Sequence, residues 1–585
     1  MVLWRRFVIV LGSRAAARQY SSGSKGPKLS YWHEASEIPL VNLTVGQLVD
    51  KSAQLWGDRE AIVSVHQGHR FTFQEVKEKV DKLAAGFLEI GLKHGDALAV
   101  WAPNLTEWYL TSLAANKAGL VIVNINPAYQ IPELEYCLKK VHVRALVAAE
   151  TFKTQKYPEM VQALAPEVTA AKPGHLKSLN LPNLTTVIVT GDKQYPGMFR
   201  FSDVMDCAST ASFEKLKQLD YDIQADEGCN VQFTSGTTGH PKATLLSHHS
   251  VVNNSYFLGE RAGLYKKHHR ICLQVPFFHC FGNVCGVLNS LHHGCTIVLP
   301  SAGFKGEDSA KAILKEKCSV LYGTPTMNID LLNFVESSGL KINSLEILAS
   351  GGAISSPDLY EKLTRTFGLE RVTTFYGMTE TAPLSFIPEE NDPPEKTYTT
   401  VGRVIDHVEV KVVDETGKMV PLGTTGELWV RGYCNMLGYW GDKKHTEETI
   451  REDRWLRTGD AFILEENGYG KIVGRIKDMI IRGGENIFPK EIEILLETHP
   501  SISEAQVFGI ADDRLGEQVC VAISTKKGHK LTEQDVKDFC KGKIAHFKIP
   551  HYIRFVEEFP KTVSGKIQKF KLRKMLEKEL GKETQ

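Results

Sequence analysis

The densest chemistry in the chain lies in Thr234-Ser235-Gly236-Thr237-Thr238-Gly239-His240-Pro241-Lys242. Two glycines let backbone N–H groups turn toward an anion, the hydroxyls add donors, and the lysine supplies a point charge. In chemical terms this is a cradle for phosphate. It is not a Walker A loop, because the G-x-x-x-x-G-K-[ST] spacing is absent and a proline precedes the lysine. Pro241 disfavours continuing directly into a helix, and a short strand-like run, 230–233, leads in. A polar surface loop is the plain alternative; the density of Thr, Ser and Gly before a terminal Pro-Lys weighs against it.

Further along stand four charged residues, Glu380, Asp460, Arg475 and Lys566, that composition and spacing alone do not connect to the loop. Taken singly, each has an ordinary explanation. Asp460 could cap a turn, Glu380 could be a solvated carboxylate at a helix start, Arg475 could be a surface ion-pair partner, and Lys566 is one of several lysines in a basic tail. Their common order with the loop is what gives them weight.

The elements that must position these residues read as α/β. Helical stretches such as 72–90 alternate with short apolar runs at 97–100, 121–125, 271–275, 296–299, 320–322 and 347–350. Thr72 and Glu75 have capping-box spacing and predict a helix start. Such alternation implies largely parallel sheets covered by helices, with ligands near the strand ends. Near residue 400 the character changes to antiparallel strands, 408–413, 426–431 and 462–464, and Asn467-Gly468 is a hairpin signal. Helices are expected again at 490–498 and 533–541, and a basic amphipathic one at 566–580.

At 585 residues the chain is too long for one core. The expected plan is a large domain over 40–475, made of helix-covered sheets with a β-rich subdomain, and a small mobile α+β domain over 478–585. Seventy basic against 69 acidic side chains leave a formal charge of +1, which gives no support for a nucleic-acid partner. Eleven scattered cysteines without a CxxC pair read as free thiols. No apolar run reaches membrane-spanning length. From Met1 to His33 there is no acidic residue, while Arg5, Arg6, Arg14 and Arg18 are basic among serines. That is the pattern of a mitochondrial transit peptide, expected over 1–20 and implying the matrix.

The loop closely resembles the signature of the adenylate-forming enzymes, which include acyl-CoA synthetases, coumarate-CoA ligases, luciferases and peptide-synthetase adenylation domains. Tyr376-Gly377-Met378-Thr379-Glu380 resembles that family's adenylate-site motif, Arg457-Thr458-Gly459-Asp460 its ribose motif, and Gly474-Arg475-Ile476-Lys477-Asp478 its interdomain hinge. Pro560-Lys561-Thr562-Val563-Ser564-Gly565-Lys566 is similar to its catalytic-lysine loop. All five occur in family order. One departure is Ala243 after Lys242, where most relatives have glycine; it is expected to stiffen the loop's end.

The resemblance implies an ATP-dependent ligase that joins a carboxylate to AMP and passes the acyl group to coenzyme A. A carboxylate is a poor electrophile, and a mixed anhydride with AMP supplies a leaving group once cations offset the repulsion of two anions. By resemblance, Lys566, Glu380 and Thr379 are the catalytic residues, with Glu380 helping to hold Mg²⁺ and Thr379 beside the α-phosphate. Thr234 to Lys242 hold the departing pyrophosphate. Tyr376, with Gly351, Gly352 and Ala353, frames adenine; Asp460 accepts from the ribose hydroxyls, and Arg475 approaches the ribose or the phosphate. Lys477 is the pivot of the small domain, which presents residues 481–488 to the pantetheine in the second step. ATP, Mg²⁺, coenzyme A and a fatty acid are the implied small-molecule partners; the sequence sets no oligomeric state. Gly377 is read as leaving an open cavity for medium-length acyl chains, lined by 277–282 and 322–331. His279 is either near the reacting carboxylate or a partly buried packing residue. The alternatives are an aryl- or other carboxylate-CoA ligase of the same family and a catalytically silent acyl or nucleotide sensor.

Overall fold

The computed structural model describes residues 27–234, 241–352, 355, 357–483, 485–512, 514–562 and 567–580. The segment expected to be a transit peptide therefore lies outside the described residues. So do Ser235 to His240, Ala353 and Val563 to Lys566.

Two helix-covered sheets carry most of the chain. In the first, the strands Phe199–Arg200, Thr186–Val189, Ala145–Ala148, Ala97–Trp101, Val121–Ile125 and Gly228–Thr234 run parallel, and Lys242–Ser247 and Gly438–Tyr439 close the edge antiparallel. In the second, Arg371–Gly377, Ile347–Gly351, Val320–Gly323, Arg270–Leu273, Thr296–Leu299 and Glu60–Ser64 are parallel neighbours. The central strands are apolar throughout because helices bury both faces. Every residue of Ala97–Trp101 and of Val121–Ile125 is buried. The capping box at Thr72 and Glu75 is formed and starts the helix Phe73–Glu89, as its spacing predicts. That helix sets Val76, Val80 and Leu83 into the core, each no more than 1% exposed.

The β-rich part is a five-stranded antiparallel sheet in the order Tyr31–His33, Val408–Val413, Thr425–Gly432, Leu456–Leu464, Gly470–Arg475. Asn467 and Gly468 turn the last hairpin with φ of 62° and 78°, the left-handed pair an Asn-Gly turn supplies. One segment that alternation could not reveal is the π-helix Phe281–Leu288, whose apolar run reads equally as a strand.

After the turn Ile476–Asp478 a separate sheet begins, built on the long hairpin strands Ile502–Asp512 and Gly516–Thr525. It has its own core of Ile480, Ile492, Val507, Val521 and Ile553 among others. The helix Pro489–Glu497 lies across it and buries Glu493, whose Oε1 accepts from the Val507 N–H at 2.9 Å and from the Lys569 ammonium. One turn on, burial pushes the Glu497 carboxyl up to about 7; Glu493 and Glu504 add to the rise and Lys490 opposes it. A carboxyl raised in the folded state stabilises fully below its unfolded value, and that contribution fades as pH climbs from there through about 7. Glu497→Gln should therefore raise stability at pH 8 by about 1–2 kcal/mol, after discounting for partial exposure, and leave it unchanged near pH 4. Denaturant unfolding of both proteins at the two pH values checks this; equal gains at both would remove the titration as its cause.

Candidate active site

The first sheet delivers the phosphate-loop ends. Thr234 closes one strand and Lys242 opens the next, and the two are direct cross-strand partners, so the loop is the connection of an antiparallel hairpin. As Pro241 requires, a strand rather than a helix follows. The Tyr136 hydroxyl donates to the Pro241 carbonyl at 3.0 Å, fixing the loop's exit to the helix Ile131–Lys140. Ala243 lies inside the strand, fully buried, and its carbonyl accepts from the Trp440 N–H at 2.8 Å. Its methyl thus packs within the strand that leaves the loop.

The second sheet delivers the adenylate motif at the carboxyl end of Arg371–Gly377, where open α/β sheets bind ligands. Thr379–Thr381 forms one 3-10 turn. Thr379 Oγ1 lies 3.8 Å from Cys280 Sγ, and burial pushes that thiol up to about 12, so it stays protonated. The Glu380 carboxylate is 7% exposed and accepts from the Tyr439 hydroxyl at 2.8 Å.

The β-rich sheet supplies Asp460 and Arg475. They sit opposite one another on adjacent antiparallel strands, which puts their side chains on one face. Arg475 Nε is 2.8 Å from Asp460 Oδ1, while the Tyr376 hydroxyl donates to Asp460 Oδ2 at 2.7 Å. Burial works against the Arg475 charge, yet Asp460 and its neighbours hold its pKa above the ordinary value. Burial, then the Asp460 charge, raises Tyr376 well above the phenol range, so it remains a donor. The rest of the ribose motif is occupied structurally. Arg457 pairs with Glu427 at 3.2 Å, Thr458 Oγ1 donates to the Leu428 carbonyl at 2.8 Å, and the Gly459 N–H donates to Glu427 at 3.2 Å. Of the four, Asp460 carries the charge that faces Tyr376, and the Thr458 hydroxyl lies beside the same phenol.

The structure thus brings Tyr376, Thr379, Glu380, Asp460 and Arg475 together and sets Lys242 beside Tyr439, its ammonium 4.8 Å from the ring centre. Gly351 ends a strand facing Phe375 and Phe281, and Gly352 follows with φ of 87°. Tyr439 is the site residue that sequence reasoning missed: Gly438-Tyr439-Trp440 belongs to none of the five motifs, and no spacing signals it. Lys566 and six of the nine loop residues, Ser235 to His240, lie outside the described residues. The stem of the Lys566 loop is described, however. The Gln568 N–H donates to the Pro560 carbonyl at 2.8 Å, and Lys561 pairs with Glu504 at 3.8 Å. Burial raises the Asp330 carboxyl while Lys561 lowers it, which sets that stem near the helix Pro325–Ser338 of the large body.

Two expectations about the acyl region change. A Cβ on Gly377 would lie 1.9 Å from the Pro383 carbonyl oxygen, so this glycine permits close approach of two chain segments and does not open a cavity. Phe277 is fully buried and stacks on Trp108 at 5.0 Å; it belongs to the core. Within the same expected stretches, Phe281 at the start of the π-helix lies 5.8 Å from Tyr322 and 5.7 Å from Phe375, a cluster of three rings. His279 is exposed, and its Nδ1 accepts from the Phe281 N–H, which leaves the proton on Nε2. His248 and His293, each next to another histidine in sequence, are packing residues, 2% and 4% exposed. Among the described residues no group of three or more His, Cys, Asp or Glu could hold a metal, and no helix is long and apolar enough to cross a membrane.

Residues 49–440 match the family model described as AMP-binding enzyme, and 491–566 match the AMP-binding enzyme C-terminal domain. The chain is 47% identical over 554 residues to "Medium-chain acyl-CoA ligase ACSF2, mitochondrial" of Danio rerio, covering 94% of this chain and 91% of the relative. To the Homo sapiens protein of the same name it is 45% identical, covering 98% of this chain and 93% of the relative. ATP-bound MatB from Rhodopseudomonas palustris superposes with a TM-score of 0.78 at 26% identity, covering 92% of this chain and 100% of that chain. With the family's model spanning more than half of the sequence and relatives of 45–47% identity along nearly all of it, the chain belongs to the AMP-binding enzymes, the adenylate-forming family.

Proposed function

We propose that this protein is an AMP-forming acyl-CoA ligase of the mitochondrial matrix. It converts ATP, a medium-chain fatty acid and coenzyme A to acyl-CoA, AMP and diphosphate through an acyl-adenylate. The observation that carries this reading is the junction of buried Asp460 and Tyr376 with Arg475, beside Thr379 and Glu380, at the carboxyl end of the parallel strand Arg371–Gly377. The names of its relatives give the acyl class and the organelle.

Asp460 accepts from the ribose diol. A carboxylate offers about four acceptor positions, so this is compatible with its bonds to Tyr376 and Arg475. Arg475 and Lys242 meet phosphate charge, and Thr379 donates to the α-phosphate. Glu380 suits Mg²⁺, which takes one or two carboxylates and fills its remaining positions with phosphate oxygens and water; the ion, when bound, neutralises charge on the triphosphate. Lys566 stabilises the charge that builds as the fatty carboxylate attacks. Phe281, Tyr322 and Phe375 bound the acyl chain, and His279 donates through Nε2 to its carboxylate end. A turn of residues 478–585 about Lys477, against the large domain of 40–475, then exchanges Lys566 for the thiol path.

The test is AMP and diphosphate release with Mg-ATP, coenzyme A and saturated acids from acetate to palmitate. A coenzyme-A-dependent maximum at intermediate length is expected. Diphosphate exchange without thioester would move the acceptor elsewhere, and no AMP from any acid would put the silent sensor in its place.

A further inference from the structure

We propose that Tyr439 is a positioning residue for the adenylation step, holding Lys242 and Glu380 in fixed relation so that the phosphates and their magnesium ion meet both at once. The inference rests on the roles given above to those two residues.

Lys242 belongs to the first sheet and Glu380 to the turn that follows the second; no hydrogen bond or ion pair joins them directly. The connection is one short segment. The Met436 N–H donates to the Glu380 carbonyl at 2.9 Å, the Leu437 N–H to the Leu245 carbonyl at 2.9 Å, and the Trp440 N–H to the Ala243 carbonyl at 2.8 Å. Residues 436–440 thus fasten the backbone of the turn bearing Glu380 to that of the strand bearing Lys242.

Tyr439 does the same with side chains. It pairs with Thr244 in the sheet, its own N–H donates to Thr446 Oγ1 at 2.9 Å, and it is 7% exposed, so its ring has little freedom. The hydroxyl donates to Glu380 Oε1 at 2.8 Å, and the ring face lies 4.8 Å from the Lys242 ammonium. The first contact is a hydrogen bond to a charged acceptor; the second is a cation–π contact. With one Glu380 oxygen fixed by that donor, the carboxylate is held in a single orientation, and the lysine is kept over the ring.

Two variants separate the two contacts. Tyr439→Phe removes the hydrogen bond and keeps the ring; Tyr439→Leu removes both. The readouts are calorimetric binding of α,β-methylene-ATP across a magnesium titration, and the two half-reactions measured apart. Tyr439→Phe should raise the magnesium concentration for half-maximal nucleotide binding by about tenfold, the worth of one charge-assisted hydrogen bond. Tyr439→Leu should add a further loss of about threefold or more in nucleotide affinity at saturating magnesium, through Lys242. Thioester formation from preformed acyl-AMP should change less than about twofold in both, since diphosphate has left by then. Equal losses in both half-reactions, or an unshifted magnesium titration in Tyr439→Phe, would overturn the proposal. Glu380→Gln is the control. If it shifts the titration and Tyr439→Phe does not, the role of Glu380 stands and that of Tyr439 falls. If Glu380→Gln shifts nothing, both fall together.

Discussion

Lys566→Ala is expected to slow acyl-adenylate formation by about 10²–10³-fold, the usual cost of removing one preorganised charge from a developing anion. The same variant should convert preformed acyl-AMP and coenzyme A to thioester at nearly the wild-type rate. The asymmetry follows from charge: joining a carboxylate to the α-phosphate brings two anions together, whereas a thiol attacking a neutral acyl carbon does not. Lys566 lies three residues before Lys569, whose ammonium is held by buried Glu493 and by the Val507 carbonyl at 3.0 Å. Replacing Lys566 leaves that anchor in place, so the loss should be chemical rather than structural. Single-turnover measurement of each half-reaction decides it. Equal loss in both would remove Lys566 from the role.

Asp460→Ala should fail in two ways at once. Asp460 is 1% exposed and bound to Tyr376 at 2.7 Å and Arg475 at 2.8 Å. Truncation leaves a buried phenol and a cation without their partner, at a cost of about 2–3 kcal/mol; the figure sits at the low end for broken buried pairs because the arginine is half-exposed. AMP affinity should fall by about tenfold to a hundredfold through the lost ribose hydrogen bonds. Asp460→Asn keeps an acceptor for Tyr376 and should recover part of the stability, but not the attraction for Arg475. Denaturant unfolding and AMP calorimetry on the pair of variants separate the effects. An alanine variant with the wild-type unfolding midpoint and wild-type AMP affinity would remove Asp460 from both roles.

Much of the frame was legible in the sequence because its cues are local. The capping box at Thr72, the Asn467-Gly468 turn and the apolar runs of the parallel strands each depend on neighbouring residues, and each appears as an element near its expected limits. The proposed nucleotide-binding residues were legible only collectively, since Asp460 and Tyr376 meet across 84 positions of sequence. Three misreadings have physical causes. A glycine signals either open space or close approach, and at Gly377 the Pro383 carbonyl makes it the latter. An apolar, aromatic run such as 277–282 divides between core and site according to which side each ring turns, which spacing leaves open. Tyr439 acts through the edge pairing of a two-residue strand with Lys242–Ser247, a tertiary fact with no trace in its own surroundings.

Among the described residues the stem of the Lys566 loop is tied to the small domain by Lys561 to Glu504, Gln568 to Pro560, and Lys569 to Glu493 and Val507, while the Lys561 charge also reaches Asp330 of the large domain. In the proposed two-step reaction the domain would then move as a single lever. Withdrawing the group needs no local unfolding and breaks none of these bonds, so the switch between steps costs only what the domain boundary itself holds. Substitutions at that boundary would change the pace of alternation, whereas those along the stem would change how well the lysine is aimed.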